Sequence, residues 1–172
     1  EEYRTTSTYD IRSNLLVVTD PLGRAAFTHT YDLANRPLRI VSIDAGDRHT
    51  ALDAAGNILE TWDSKGARTL HAYDELNRPT HLWACDEAGE LRTLRERLIY
   101  SQNQALNLRG RLFQHDDEAG RLTFEAYDFK GNLLRKTRQV IEPVVVLSVF
   151  EPPPPDWEIE PFRVDWTTPP TL

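Results

Sequence analysis

The sequence predicts an all-β fold made of consecutive antiparallel hairpins. Two observations predict it. The phrase Asp-x-x-Gly/Asn recurs every ten to twelve residues, and the runs between copies alternate in polarity as half-buried strands do. The densest stretch runs from Asp53 to Gly89, with copies at Asp53, Asp63, Asp74 and Asp86. A period this short holds one strand and one turn.

Each copy reads as a tight turn. The Asp carboxylate accepts hydrogen bonds from backbone N–H groups just ahead of it. Gly or Asn three residues on tolerates a positive φ. Further copies start at Asp20, Asp32, Asp117 and Asp128. Asp10 begins a weaker one with Ser13 in the Gly place, and Asp44 a degenerate one whose Gly46 comes a residue early.

Taken in order, residues 1–90 read as hairpins. Asn14–Thr19 is a strand that ends in the Asp20-Pro21-Leu22-Gly23 turn. Pro37 and Pro79 lack a ladder donor, so their strands start there or present an open edge. In Ala67–Tyr73, Thr69, His71 and Tyr73 alternate with Arg68, Leu70 and Ala72. Leu91–Leu108 breaks the period. Leu91, Leu94 and Leu98 stand at near-helical spacing, so its first half is either a short helix or a longer curved strand. Repeats resume at Gly110 with Leu112–His115, then Arg121–Tyr127. From Glu142 onward the composition shifts, and eight of the 11 prolines fall there. Pro152–Pro155 predicts an extended polyproline segment, and Val144–Phe150 an added edge strand. The expected organisation is a hairpin array over 1–141, interrupted at about 91–108, and a Pro-rich tail or linker over 142–172. Residues from Pro152 on are expected to be the least ordered, because Pro-rich sequence gains little from burial.

Tyr73-Asp74 through Asn77-Arg78-Pro79, Tyr31-Asp32 through Asn35-Arg36-Pro37, and Tyr127-Asp128 through Gly131-Asn132 resemble the YD repeat of Rhs proteins. The longer run through Asn107–His115, Asp117–Gly120 and Glu125–Leu134 is similar to the Rhs part of the B component of bacterial Tc insecticidal toxin complexes. The resemblance covers roughly Thr8 to Val140. Asp116 departs from it, standing where that family usually has Tyr. The connection from Tyr100 to Leu108 is also shorter than the family's, and no self-cutting Rhs core-associated segment can be seen in the sequence. Val164-Asp165-Trp166 is similar to a Val-Asp-Trp that follows the repeats in related B components.

The resemblance implies YD-repeat hairpins forming a strip of a curved, spiralling sheet, with a strand through Leu98–Tyr100 and then an irregular excursion. It implies a structural role in the hollow shell that encloses and delivers a toxin cargo. The implied partners are flanking Rhs repeats of a longer chain, a toxin C component and a pore-forming A component. The implied location is a secreted, extracellular toxin complex.

Bulk properties narrow the rest. The absence of Met points to a fragment or processed piece. A net charge of −7 argues against nucleic-acid or anionic-membrane binding, which needs a basic footprint. The N-terminus lacks the basic and apolar regions of a signal peptide, and the longest aliphatic run, Val144–Val149, is too short to cross a bilayer. Cys85 is the only cysteine, replaces an aromatic in one repeat, and is expected to pack as a small hydrophobe.

Candidate chemistry is thin. Asp116, Asp117 and Glu118, or Asp63 with Asp74, supply paired carboxylates such as glycosidases use, but turn duty explains a periodic Asp better. His29, His49, His71, His81 and His115 contain no zinc-binding pair; His71 and His81 could meet on adjacent strands. Phosphate-loop, dinucleotide and serine-hydrolase signatures are missing. Trp62, Trp83, Tyr31, Tyr73 and Tyr127 could form a sugar-stacking face, though cross-strand packing accounts for them. The Pro152–Pro155 run could dock in an aromatic groove, though a linker role fits it better. The expectation is therefore no enzyme, no cofactor and no metal, with a carbohydrate- or cell-surface-binding module as the alternative function.

Overall fold

The computed structural model describes residues 2–142 and 163–168. Among these, twelve antiparallel strands lie in one open sheet whose strand order is the chain order. They are β1 (Thr6–Tyr9), β2 (Leu15–Thr19), β3 (Ala25–Tyr31), β4 (Pro37–Ser42), β5 (Gly46–Leu52), β6 (Ile58–Asp63), β7 (Arg68–Tyr73), β8 (Pro79–Cys85), β9 (Thr93–Tyr100), β10 (Leu112–Asp117), β11 (Gly120–Tyr127) and β12 (Leu133–Val140). Asp63, Asp74, Asp86, Asp117 and Asp128 each sit where one strand passes into the next, as their offset to Gly or Asn predicts.

The chain divides into two compact units. The first holds Glu1–His71 with Cys85–Glu90. Its hairpins are paired residue against residue, for example Thr28↔Val41 and Val41↔Asp47, and the facing hydroxyls of Thr61 and Thr69 are 2.6 Å apart. Only Ser42 and Cys85 are buried among its described residues. Cys85 packs with its sulfur 3.9 Å from the Gly66 carbonyl oxygen.

The second unit, Ala72–Ala84 with Leu91–Leu172, contains most of the buried side chains. β9 resolves the helix-or-strand alternative at Leu91–Leu98 in favour of a strand, with Leu94 and Arg95 buried. The excursion that follows is a hairpin loop closed at its mouth. Ser101 and Arg111 are joined by a backbone hydrogen bond of 2.9 Å, and a 3-10 turn at Ala105–Asn107 lies inside. A small core of Leu94, Ile141, Val164 and Trp166, flanked by Trp83, sits in this unit.

The edge strand expected at Val144–Phe150 and the Pro152–Pro155 run lie outside the described residues. Residues 163–168 do not behave as a tail that gains little from burial. Val164 is 2% exposed and Trp166 0%. The average composition of the tail hid one aliphatic and one aromatic side chain that fit a site on the strands.

Gly120 marks the tightest approach in this unit. It is buried at φ +127, and a Cβ there would sit 2.9 Å from the Val140 Cα and against the Gln139 carbonyl oxygen. Gly120→Ala is expected to destabilise the chain by about 1–3 kcal/mol, the scale of one strained backbone residue. Chemical denaturation measures it; an unchanged midpoint would show that the turn relaxes freely.

Candidate functional site

The repeated chemistry is a clamp at the hairpin ends. At Asp32, one carboxylate oxygen accepts the N–H groups of Ala34 (2.8 Å) and Arg36 (2.9 Å), and the other accepts the Arg36 Nε–H at 2.6 Å. Asp74 repeats the pattern with Leu76 and Arg78. At Asp10, Asp53 and Asp128 the fifth residue is Asn, and its side-chain amide donates instead. The fourth residue closes the turn, as when Asn35, at φ 63, donates its N–H to the Asp32 carbonyl.

The clamp also reaches the next turn at the same end of its unit. Arg12 donates to the Leu33 carbonyl at 2.7 Å, Arg36 to that of Asp53 at 3.0 Å, and Arg78 to that of Gly110 at 2.8 Å. Tyrosines at strand ends add a second tie. The hydroxyls of Tyr31, Tyr100 and Tyr127 each donate to the carbonyl of the first residue of the preceding strand: Leu15, Pro79 and Leu112. Two turns differ. At the degenerate copy, the Ser42 hydroxyl rather than Asp44 accepts the backbone N–H groups. After β8, the Glu90 carboxylate accepts the N–H of Asp86.

These bonds set the titration behaviour. Side-chain hydrogen bonds at Asp10, Asp53, Asp74 and Asp128, and backbone N–H bonds at Asp20 and Asp32, hold these carboxyls below their ordinary value of 3.8. Desolvation, with Arg97 adding repulsion, holds His81 below its ordinary 6.5. Folding therefore favours the deprotonated form of both kinds of group. The carboxylate contribution is complete above pH 3.8 and is lost as pH falls through the lowered values; the His81 contribution is complete above pH 6.5 and is lost as pH falls through its own lowered value. The unfolding midpoint should thus fall in two steps on acidification. His81→Gln should remove the upper step alone, and an upper step that survives would assign it elsewhere.

The acid clusters do not converge. Asp116 is fully buried, Asp117 pairs with Arg138, and Glu118 pairs with Arg95. Asp63 and Asp74 flank β7 at opposite ends. His49 stacks on Trp62 with ring centroids 4.9 Å apart, and His81 on Trp83 at 5.2 Å. His71 lies 3.3 Å from the Thr69 hydroxyl. Among the described residues no group of three or more His, Cys, Asp or Glu is placed to hold a metal, and no helix is long and apolar enough to cross a membrane.

The densest polar site centres on Asp116. Its carboxylate accepts Arg97 (3.1 and 2.9 Å), Arg121 (2.8 Å) and Gln114 (3.1 and 2.9 Å). Desolvation pushes this carboxyl up, but the bonds from Arg121, Arg97 and Gln114 outweigh it and leave the group lowered. The two guanidinium groups in turn lie over the Trp166 ring, 5.9 and 5.8 Å from its centroid. Asp116, where the YD-repeat resemblance leads one to expect Tyr, is thus a buried anion that organises two arginines around a tryptophan.

No family model matches the chain, and no curated protein is similar to it. Solved structures are. TcdB2-TccC3-TEV is 27% identical with a TM-score of 0.74, and TcdB2-TccC3 is 26% identical with the same score; each match covers 83% of this chain and 8% of the other. A Photorhabdus luminescens Tc holotoxin pore with a mutated TccC3 is 27% identical at a TM-score of 0.73, over 80% of this chain and 7% of that one. The chain therefore spans less than a tenth of the chains it matches. With the ordered Asp turns and the strand-end tyrosines, the match is consistent with an Rhs-like segment: over most of its described length this chain is similar to part of the TcdB2-TccC3 Tc toxin chains.

Proposed function

We propose that this chain is a strip of wall in a hollow shell that encloses a cytotoxic cargo. The shell would deliver that cargo, from an extracellular toxin complex, through a pore-forming A component. Flanking Rhs repeats and a C component are the partners in this reading. The observation that carries it is the fold match at a TM-score of 0.74 to TcdB2-TccC3 over 83% of the chain. The hairpin clamps support it, because they spend the conspicuous aspartates and arginines on joining turn to turn rather than on a ligand. In the same reading the chain is not an enzyme: the clustered carboxylates face different arginines, which suits pinning strands and does not suit sharing a substrate. A glycan-binding role is less favoured, since Trp62 and Trp83 are stacked on histidines.

The test is the behaviour of the chain alone. A strip cut from a continuous sheet presents strand edges, and such edges template pairing with other chains. Repeat arrays without caps also lose stability. Sedimentation of the full chain is expected to show self-association, and denaturation a concentration-dependent transition. A monomer with a sharp, concentration-independent transition above about 5 kcal/mol, the low end for ordinary domains, would favour a free-standing binding module. Hydrolysis abolished by one Asp→Asn change would favour an enzyme.

A further inference from the structure

The ladder between β9 and β10 runs from Tyr100 to Arg97 and stops there. β9 continues to Thr93, so its first residues extend beyond β10. Backbone N–H and C=O groups in a partly buried strand need partners. At Leu94 both come from residues 163–168: the Leu94 N–H donates to the Asp165 carboxylate at 3.2 Å, and the Leu94 carbonyl accepts the Trp166 N–H at 3.0 Å.

Side-chain recognition surrounds these two bonds. The Trp166 indole N–H donates to the Asp117 carbonyl at 3.1 Å. The guanidinium groups of Arg97 and Arg121, anchored on buried Asp116, lie over its ring. Val164 completes the core with Leu94 and Ile141. The segment preorganises itself, since Asp165 also accepts the N–H and hydroxyl of Thr167. It adds no strand and copies no YD repeat; residues 166–168 form a turn.

We propose that the start of β9 that overhangs β10, with β10 and β11, is a peptide-recognition site for a Val-Asp-Trp segment, occupied here by the chain's own residues 163–168 acting as a separable clasp. One backbone bond and the Asp165 carboxylate satisfy the overhanging edge of β9 without adding a strand, and the indole pocket supplies specificity. The clasp does not depend on the shell reading, since only contacts inside one unit build it.

The experiment uses the full chain carrying Val164→Ala and Trp166→Ala, which weakens the resident clasp, and a synthetic peptide of residues 163–168. The peptide should raise the unfolding midpoint of the variant saturably and leave the unsubstituted chain unchanged. A peptide with Ala in place of Trp should bind about thirtyfold more weakly or worse, the scale of an aromatic hot spot. A variant that retains its strand signal but ignores the peptide would overturn the proposal. Should the variant not fold, hydrogen exchange on the unsubstituted chain decides. A clasp predicts that the amides of Leu94 and Trp166 exchange together and faster than those of Leu122 and Thr123. Exchange of all four only with global unfolding would make the segment an integral part of the core and overturn the proposal.

Discussion

Trp166→Ala is expected to lower the stability of the full chain by about 3–5 kcal/mol, the cost of emptying a buried tryptophan site. The indole is fully buried in a core with few other members, so the surroundings have little with which to refill the space. Truncation also removes the partner of the Asp117 carbonyl and the ring beneath Arg97 and Arg121. Trp166→Phe separates these effects. It keeps a ring but loses the indole N–H bond, and should cost about 1 kcal/mol plus a modest packing loss. Trp62→Ala is the control in the other unit, where the ring stacks on His49 but enters no buried cluster; its loss should be smaller. Urea denaturation of the three variants checks the ranking. A loss at Trp166 below about 1 kcal/mol would mean that residues 163–168 are not docked in solution and would remove the core from the second unit.

Most of the sheet was legible in the sequence because its signal is local. An Asp that accepts N–H groups two and four residues ahead needs nothing beyond its own turn, so Asp32 and Asp74 announce their hairpins from a few letters. The fifth position of the repeat carries an equally local signal. In six copies Asn14, Asn57 and Asn132, or Arg24, Arg36 and Arg78, stand there, and each amide or guanidinium meets the second carboxylate oxygen. The tyrosine hydroxyl ties depend on register, and no single copy states register. Val164-Asp165-Trp166 stood out as a motif, but the place where Trp166 docks was out of reach for a different reason. Asp165 and Leu94 are 71 positions apart, and neither period nor composition connects them. Asp116 was visible as an oddity where Tyr was expected, but its two arginines lie on neighbouring strands and its tryptophan near the C-terminus. Local turn chemistry writes itself into sequence; a site assembled from distant segments leaves only an exception to the pattern.

Asp116→Asn should be costly for that reason. The change keeps the size of the side chain and removes its charge. Two guanidinium groups then remain, still positively charged because arginine does not lose its proton in proteins. They stay close to each other around one neutral amide that also carries donors. Breaking a buried ion pair by removing one partner typically costs about 3–5 kcal/mol, and two arginines share this carboxylate at 2.9 and 2.8 Å. The loss should exceed that of Asp117→Asn, whose partner Arg138 stands at the exposed strand β12. The comparison that isolates the charge is the triple change Asp116→Leu, Arg97→Met and Arg121→Met. Replacing a buried ionic cluster with apolar groups of similar volume is often neutral or stabilising, so the triple variant should regain most of what Asp116→Asn loses. If it is no more stable than Asp116→Asn, the arginines contribute more by covering the Trp166 ring than by balancing the carboxylate. Each arginine-to-methionine change alone should then reproduce part of the loss in a chain that keeps Asp116.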